Sequence, residues 1–200
     1  MAEDYRRQSP LDHLHLAARG ADPIGGAAVR FAEQRFRGKI NLRGAPEPAF
    51  LDAVATAIGV RPATQSGAVT QADGRVALWI GPGEWLVVTA PGMEGETVAG
   101  LREGLAEHGA AVTEVSESLA VITVSGAEGR QVLAKGMSLD LHPRAFASGH
   151  CARASLAKTV VLIHQTDDEP TFDLYVDRSY AEYLWQWLED ATQSMLGISP

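Results

Sequence analysis

Short apolar runs alternate with segments of helical spacing along this chain, and residues 118–146 show the arrangement most clearly. Residues 119–124 form an apolar, β-branched run of the length typical of a buried strand. Ser125 and Glu128 follow in the S-x-x-E spacing of a capping box, whose side chains bind free N–H groups at a helix start. The pattern predicts a strand and then a helix that ends at Gly136, where glycine would tolerate a left-handed backbone.

Two earlier helices are predicted from the same kind of spacing. Residues 48–58 carry apolar side chains on one helical face, and Gly59 follows them. Pro48 suits a first helical turn, because the N–H group that it lacks would have no partner there. Residues 94–108 are acidic at their start, as the helix dipole favours, and Gly109 marks the predicted end of this helix.

A hairpin is predicted between these two helices. Apolar runs at residues 76–80 and 86–89 flank the sequence Gly-Pro-Gly-Glu. In that sequence Gly83 occupies the third position of a type II turn, which requires a positive φ. Residues 61–74 are polar and without periodicity, so they predict a loop, and residues 111–115 predict another strand.

Further strands are predicted near both ends of the chain. Residues 28–31 and 39–42 read as two short strands on either side of a basic turn at residues 35–38. Residues 152–165 alternate weakly and become apolar towards their end. An acidic turn then leads to a returning strand at residues 172–176.

The last helix has the cleanest amphipathic pattern in the chain. Ser179 and Glu182 form a second S-x-x-E sequence that predicts its start. We expect its apolar stripe to face the core. The stripe consists of Tyr180, Tyr183, Leu184, Trp187 and Leu188. Trp185 lies off this stripe, so we expect it to be a contact with another subunit.

Paired strands with helices between them predict an α+β fold with largely antiparallel sheets and helices packed on them. We expect an extended N-terminal arm at residues 1–26, a body at residues 27–192 and a frayed tail at residues 193–200. The body is open to division into two intertwined halves, residues 27–116 and residues 117–192.

The charge of the chain bears on the kinds of partner that it could bind. The chain of 200 residues has a formal net charge of −8, which argues against nucleic acid as a partner. Residues 1–45 carry eight Lys and Arg against five Asp and Glu, whereas residues 167–190 carry one against eight. This asymmetry suits docking onto another protein, although a solvated acidic surface is the simpler interpretation.

The location of the protein is predicted from its cysteine count and its N-terminus. Cys151 is the single cysteine, which fits a reducing compartment. The first ten residues lack the apolar region of a signal peptide, and no segment reaches the ~20 apolar residues of a membrane helix. We therefore expect a cytoplasmic protein that does not contact a membrane.

Two candidate reactive pairs involve histidine. His13 and His15 would share one side of a strand, but no carboxylate or cysteine cluster joins them as further metal ligands. His150 precedes Cys151, yet adjacent residues on an extended chain point to opposite sides, so we expect a small, partly buried thiol entering a strand. Neither pair predicts a metal or catalytic site.

The most polar loop contains Asp140, His142 and Arg144. If the loop is extended, the three side chains share a face that could bind a partner, and otherwise they satisfy the loop backbone and each other. Asp140 and Glu84 are the loop carboxylates that a folate pocket could use, and neither has an evident partner in the sequence. No nucleotide-binding glycine loop is present, so we expect no catalytic, cofactor-binding or metal residues on this chain.

Five segments in order carry a family resemblance. They are KINLRG (39–44), LWIGPGEWLVV (78–88), SGAEGRQVLAKGMSLDLHPRAF (125–146), GHCARASLAKTVVLI (149–163) and FDLYVDRSYAEYLWQWL (172–188). Together they resemble the gamma subunit of heterotetrameric sarcosine oxidase over nearly the whole chain after residue 25. The DLHPRAF piece and the last helix are the most specific parts.

The resemblance implies a folate-binding aminomethyltransferase-like fold in a non-catalytic, structural subunit. The implied complex oxidatively demethylates sarcosine to glycine, producing hydrogen peroxide and 5,10-methylenetetrahydrofolate. It implies that FAD, FMN, NAD, zinc and tetrahydrofolate are held by other subunits, and that the partners are larger flavoprotein subunits, chiefly the alpha subunit. Two alternatives remain open: a gamma-type subunit of a related N-methyl amino acid dehydrogenase, such as one for N-methylglutamate, and a free-standing folate-binding aminomethyltransferase-like protein.

Overall fold

Strands and helices alternate through the part of the chain that the computed structural model describes, residues 7–16 and 28–193. The strands in these ranges are Arg30–Glu33 (β1), Gly38–Arg43 (β2), Val69–Ala72 (β3), Arg75–Gly81 (β4), Glu84–Thr89 (β5), Ala111–Glu114 (β6), Leu119–Ser125 (β7), Cys151–Leu156 (β8), Thr159–Gln165 (β9) and Phe172–Asp177 (β10). The α-helices are Pro48–Ile58 (α1), Glu94–Gly104 (α2), Gly129–Ala134 (α3) and Ala181–Gln193 (α4).

The strands form two five-stranded antiparallel sheets. Sheet I has the order β1-β7-β10-β9-β8, and sheet II has the order β3-β4-β5-β2-β6. This arrangement confirms the predicted α+β fold with antiparallel sheets. The strands β1 and β2, which flank the basic turn, join different sheets: β1 pairs with β7 and β2 pairs with β5.

Three apolar clusters hold the layers together. One lies between sheet I and the helices α3 and α4, and a second lies between sheet II and the helices α1 and α2. The third lies between the two sheets, where side chains from β4 and β5 meet side chains from β7, β9 and β10. The sheets therefore face each other, and each carries its helices on the opposite face.

The end of one helix and the turn of one hairpin lie where the sequence predicted them. Helix α1 spans Pro48–Ile58, and Gly59 follows it with φ 75°. The hairpin of β4 and β5 turns at Gly83 with φ 67°, as the type II turn requires. At both positions a glycine was needed for the backbone conformation, which explains why the sequence alone predicted them.

Three predicted boundaries were wrong. The polar loop at residues 61–74 contains strand β3, which pairs with β4 at the edge of sheet II. The single strand predicted at residues 152–165 is a hairpin of β8 and β9, with Ala157 at φ 53° in the turn. Helix α2 ends at Gly104, four residues before the predicted end at residue 108.

Neither S-x-x-E sequence forms the predicted capping box. Ser125 is the last residue of β7, and Glu128 is itself the residue that precedes α3, without a side-chain cap bond. Ser179 lies in a 3₁₀ turn, Arg178–Tyr180, that precedes α4. Helix α3 ends at Ala134 and Gly136 has no positive φ, so this glycine is not the predicted left-handed stop.

Residues 7–16 of the predicted N-terminal arm are not extended. They contain a 3₁₀ turn at Asp12–Leu14, and the neighbouring Leu11 is 1% exposed in the core beside sheet I. Arg7 forms ion pairs with Glu94 and Glu117, which lie outside this segment. The described part of the arm therefore packs on the body, while the rest of the arm and residues 194–200 lie outside the described residues.

Candidate functional site

The aromatic residues of α4 face directions other than those predicted. Trp185 is 3% exposed and contacts Phe31 edge-on, with 6.2 Å between the ring centroids. Its indole N–H donates to Glu189 Oε1 at 2.8 Å. Tyr180, placed on the core stripe by the sequence, is 46% exposed. The prediction that Trp185 is a subunit contact is therefore wrong.

The actual core stripe of α4 is shifted by one position. Its buried members are Ala181, Leu184, Trp185, Leu188, Ala191 and Thr192. This set has the same i, i+3, i+4, i+7 spacing as the predicted one, so periodicity alone did not separate the two faces. The contact of Trp185 with Phe31 on β1 distinguishes the two faces, and Ala181 on the same face is fully buried.

The single cysteine is buried between the two sheets. Cys151 is 2% exposed, and its Sγ lies 3.2 Å from the backbone carbonyl of Trp79 on sheet II. Burial raises the pKa of this thiol to about 12, so it is protonated at neutral pH. The preceding His150 is exposed and its ring bonds to Ala147, so the two do not form a nucleophile–base pair.

The two N-terminal histidines lie on a turn and not on a strand. His13 is part of the 3₁₀ turn, with Nε2 3.3 Å from Glu182 Oε2 on α4. His15 follows the turn with φ 50°. Across the described ranges no group of three or more His, Cys, Asp and Glu side chains is placed to hold a metal ion.

The polar loop between α3 and β8 bonds to itself. Asp140 Oδ1 accepts from the backbone N–H of His142 at 2.9 Å, and His142 Nδ1 accepts from the backbone N–H of Arg144 at 3.2 Å. All three residues are exposed. The side chains therefore stabilise the turn locally, as the second of the two sequence interpretations expected for the backbone.

Glu84 has partners that the sequence did not reveal. Its Oε1 accepts from Asn41 Nδ2 at 2.8 Å and from Arg43 Nη2 at 2.9 Å, both on the adjacent strand β2. The hydrogen bond from Asn41 and the charge of Arg43 lower the pKa of Glu84, against a smaller effect of burial. This carboxylate is held at the start of β5, the central strand of sheet II, so it is not a free ligand for a pterin ring.

A row of buried and partly buried polar side chains crosses sheet I. Thr123, Asp173 and His164 occupy paired positions on β7, β10 and β9. Thr123 Oγ1 donates to Asp173 Oδ1 at 2.6 Å, and burial raises the pKa of Asp173. Burial lowers the pKa of His164 to about 4, and its Nδ1 has no hydrogen-bond partner among the described residues. Single polar residues inside three apolar strands are the only sequence signal for this row.

A concave surface lies between the two sheets, and we call it the inter-sheet cleft. It has a volume of about 600 Å³. Its lining comprises Asn41, Arg43, Ile80, Leu86, Ala111, Thr113, Val115, Ser118, Leu119, Arg153, Val160, Val161, Leu162, Tyr175 and Asp177. The cleft opens beside the apolar cluster that joins the sheets, since Leu86, Leu162 and Tyr175 belong to both.

The side chains that line the cleft are suited to binding a ligand and not to reacting with it. Arg43 and Arg153 line the cleft from different sheets, Asp177 adds a carboxylate, and Leu86 and Leu162 are apolar. Tyr175 is 3% exposed, and burial raises the pKa of its phenol, so it remains a neutral hydroxyl. Such a lining can hold an anionic group beside apolar surface.

No helix among the described residues is both long and apolar enough to cross a membrane.

Comparison with known proteins identifies relatives of the whole chain. The model of the "Sarcosine oxidase, gamma subunit family" matches residues 43–194. The sarcosine oxidase subunit gamma of Arthrobacter sp. is 33% identical over 188 residues, covering 92% of this chain and 89% of the relative. The sarcosine oxidase subunit gamma of Corynebacterium sp. strain P-1 is 31% identical over 186 residues with the same coverage.

Solved structures share the architecture. Heterotetrameric sarcosine oxidase from Corynebacterium sp. U-96, in complex with pyrrole 2-carboxylate, contains a chain that matches with a TM-score of 0.86 and 29% identity. That match covers 97% of this chain and 98% of the other. The glycine cleavage system aminomethyltransferase T from Bartonella henselae matches with a TM-score of 0.68 at 13% identity, over 92% of this chain and 57% of the other, which shows a shared fold.

Proposed function

This chain belongs to the sarcosine oxidase gamma-subunit family, and on that basis we propose that it is a non-catalytic, structural subunit of a heterotetrameric sarcosine oxidase. Its partners in this proposal are the larger flavoprotein subunits, chiefly the alpha subunit. The substrate of the assembled enzyme is sarcosine.

The proposed reaction of the complex is the oxidative demethylation of sarcosine. Dioxygen accepts two electrons and two protons and becomes hydrogen peroxide, while the N-methyl carbon is transferred to tetrahydrofolate. The products are glycine, hydrogen peroxide and 5,10-methylenetetrahydrofolate. Flavin, dinucleotide, folate and zinc belong to other subunits in this proposal.

The observation that carries the proposal is the extent of the match. The relatives named sarcosine oxidase subunit gamma align over 92% of this chain and 89% of their own length. The chain of the solved oxidase superposes over 97% of this chain. A match over whole chains supports the same role more strongly than a shared fold, since one fold hosts many functions.

The state of the candidate reactive groups supports a non-catalytic role. The thiol of Cys151 is buried and protonated, and its neighbour His150 does not face it. Glu84 is held by Asn41 and Arg43, and Asp140 bonds to its own loop. Each of these groups has a structural use, so none is poised as a nucleophile or general base.

Co-expression tests the proposal directly. The chain is tagged and expressed with the proposed larger flavoprotein subunits, and the complex is purified through the tag. We expect stoichiometric co-purification and peroxide production with sarcosine, and neither activity nor tetrahydrofolate binding by the tagged chain alone. N-methylglutamate and other N-methyl amines, assayed with the same complex, test the substrate.

Three results would contradict parts of the proposal. A chain that stays monomeric in the presence of all the other subunits is not a subunit of this enzyme. Oxidation of another N-methyl amino acid in preference to sarcosine would make the complex a related dehydrogenase. Binding of tetrahydrofolate by the isolated chain would favour an aminomethyltransferase-like protein.

A further inference from the structure

We infer that the inter-sheet cleft is a docking surface for a segment of a larger subunit that carries a carboxylate next to an apolar side chain. The inference rests on the proposed function, because it takes the partner to be a subunit of the same complex. It adds the place of contact and the chemistry of the partner segment.

The apolar part of this surface extends beyond the cleft. A second depression of about 380 Å³ adjoins it and shares Val160 and Asp177 with it. Val160 is 61% exposed and Tyr180, which lines the second depression, is 46% exposed. These are two of the three large hydrophobic side chains that are exposed in the described ranges. Their clustering at one place indicates a surface that a partner covers.

The charge of the cleft differs from that of the whole chain. The chain has a net charge of −8, but the charged side chains that line the cleft are Arg43 from β2 on sheet II, Arg153 from β8 on sheet I and a single carboxylate, Asp177. Arg43 is paired with Glu84. Arg153 has no hydrogen bond or ion pair with the described residues, although its charge contributes to lowering the pKa of Glu84. An unpaired guanidinium in a cleft attracts and orients a carboxylate.

The floor of the cleft offers a further polar contact. Tyr175 lines the cleft and is 3% exposed, so its phenol lies under the surface that an inserted segment would cover. A neutral hydroxyl can both donate and accept a hydrogen bond, so it can contact a polar group of that segment. In sheet register, Tyr175 pairs with Leu162, and Leu162 pairs with Arg153. Hydroxyl, apolar side chain and guanidinium thus follow one another across three strands.

The shape of the two adjoining depressions favours an extended segment of the partner subunit as the occupant. The two depressions lie side by side and share residues, so one extended segment can fill both with successive side chains. Its carboxylate would lie between the two arginines, and its apolar side chain would contact Val160 and Tyr180. Together the contacts are those of a small interface core with a charged rim.

The test compares three variants of the tagged chain in the co-expression experiment. Arg153→Glu reverses the unpaired charge, and Val160→Asp removes the exposed apolar contact. Arg144→Glu is the matched control, because Arg144 is an exposed arginine on the loop that could equally have contacted a partner. We expect each cleft variant to reduce the recovered larger subunits about tenfold and Arg144→Glu to leave recovery unchanged.

A second measurement avoids any effect of substitution on folding. Phenylglyoxal modifies accessible arginines, and mass spectrometry reports the rate at each site. We expect Arg153 to react at least about tenfold more slowly in the purified complex than in the free chain, and Arg144 to react equally in both.

The outcomes separate this inference from the proposed function. If the wild-type chain recovers the larger subunits but the cleft variants recover as much, or Arg153 is not protected, the cleft is not the docking surface and the proposed function stands. Greater loss with Arg144→Glu than with Arg153→Glu would place the contact on the loop and overturn the inference. If the wild-type chain recovers no subunits, the proposed function and this inference both fail.

Discussion

The thiol of Cys151 on sheet I donates a hydrogen bond to the backbone carbonyl of Trp79 on sheet II, with 3.2 Å between Sγ and the oxygen. Cys151 belongs to the apolar layer between the sheets, whereas the side chain of Trp79 packs against the cluster between sheet II and its helices. The bond therefore joins the two sheets across a surface that is otherwise held by non-directional packing.

The first prediction is that this thiol is unreactive in the folded protein. Its pKa is raised from 9.0 to about 12, which lowers the thiolate fraction at neutral pH about a thousandfold. We expect iodoacetamide to label the native chain at least about a hundredfold more slowly than the chain in denaturing urea. Because the chain contains one cysteine, intact-mass spectrometry over time reads this site alone. Equal labelling rates in the two states would contradict the buried position.

The second prediction concerns Gly136. A Cβ atom at this position would lie 2.5 Å from Trp187 Cζ2 and 3.2 Å from the backbone N of Ala157. Overpacking against a large aromatic ring costs about 1–3 kcal/mol, so Gly136→Ala should lower the free energy of unfolding by this amount. Urea denaturation followed by tryptophan fluorescence and circular dichroism measures the change.

The matched control for Gly136 is Gly95→Ala in helix α2. A Cβ at Gly95 meets nothing within 4 Å, and alanine has the higher helix propensity. We expect this variant to be unchanged or more stable by up to about 1 kcal/mol. A loss of stability in both variants would show that the contact with Trp187 is not the cause.

Sequence reasoning succeeded where a local residue dictates a local conformation. Pro48 and Gly59 bracket helix α1 because each has a backbone property that only the helix ends require. Gly83 in the hairpin follows the same logic. Strands with continuous apolar runs, such as β4, β5 and β7, were found, whereas the polar strand β3 was missed. The pairing into antiparallel sheets followed from the order of the strands along the chain.

Sequence reasoning failed where two local patterns fit the sequence equally well and tertiary packing decides between them. The sequence of α4 supports two apolar stripes, and only the contact of Trp185 with Phe31 on β1 selects one. Ser125 has the right spacing to Glu128 for a cap, but the pairing of Ser125 with Arg30 keeps it in β7. In both cases the deciding neighbour is a strand more than 90 residues away in the chain.

The inter-sheet cleft was also beyond local reasoning. Arg43 and Arg153 come from strands of different sheets and are separated by 110 positions in sequence. Each appears in the sequence as an ordinary exposed residue on a strand. Their common location depends on how the two sheets face each other, and no motif or spacing encodes it.

The third prediction is a stability gain on removing a buried charge. Lys39 is 2% exposed, and burial followed by the charge of Arg7 lowers its pKa to about 8, against the opposing effects of Glu117 and Glu94. Lys39→Met should raise the free energy of unfolding at pH 7 by about 1–3 kcal/mol.

The stability gain of Lys39→Met depends on pH, and proton linkage determines the sign of this dependence. Between pH 8 and 10.5 the unfolded chain holds the Lys39 proton more often than the folded chain, so the wild type gains stability as pH rises. The advantage of Lys39→Met should therefore shrink as pH rises from 7 to 10, as measured by urea denaturation at each pH. The exposed Lys158→Met is the control and should show no such convergence. A constant difference across the range would contradict the lowered pKa of Lys39.

The fourth prediction concerns acid stability through His164. Its pKa is lowered to about 4, first by burial and then by the charge of Arg37, whereas Asp167 acts in the opposite direction. Between pH 6.5 and pH 4 the unfolded chain binds a proton that the folded chain excludes, so stability falls as pH falls through this window. One such group changes the free energy of unfolding by up to about 1.4 kcal/mol per pH unit.

Comparison of variants separates the effect of His164 on acid stability from the effects of other titrating groups. Burial raises the pKa of Asp173, the cross-strand neighbour of His164, so Asp173 contributes the opposite slope, and it is common to all the variants. His164→Asn removes the titrating ring, while His15→Asn, at an exposed position whose positive φ asparagine tolerates, is the control. We expect the wild type to lose more stability than His164→Asn between pH 6.5 and pH 4.5 in urea denaturation, and to parallel His15→Asn. If all three curves run parallel, the proton is not excluded from His164 in the folded chain, and its ring must gain a polar partner that stabilises the charged form.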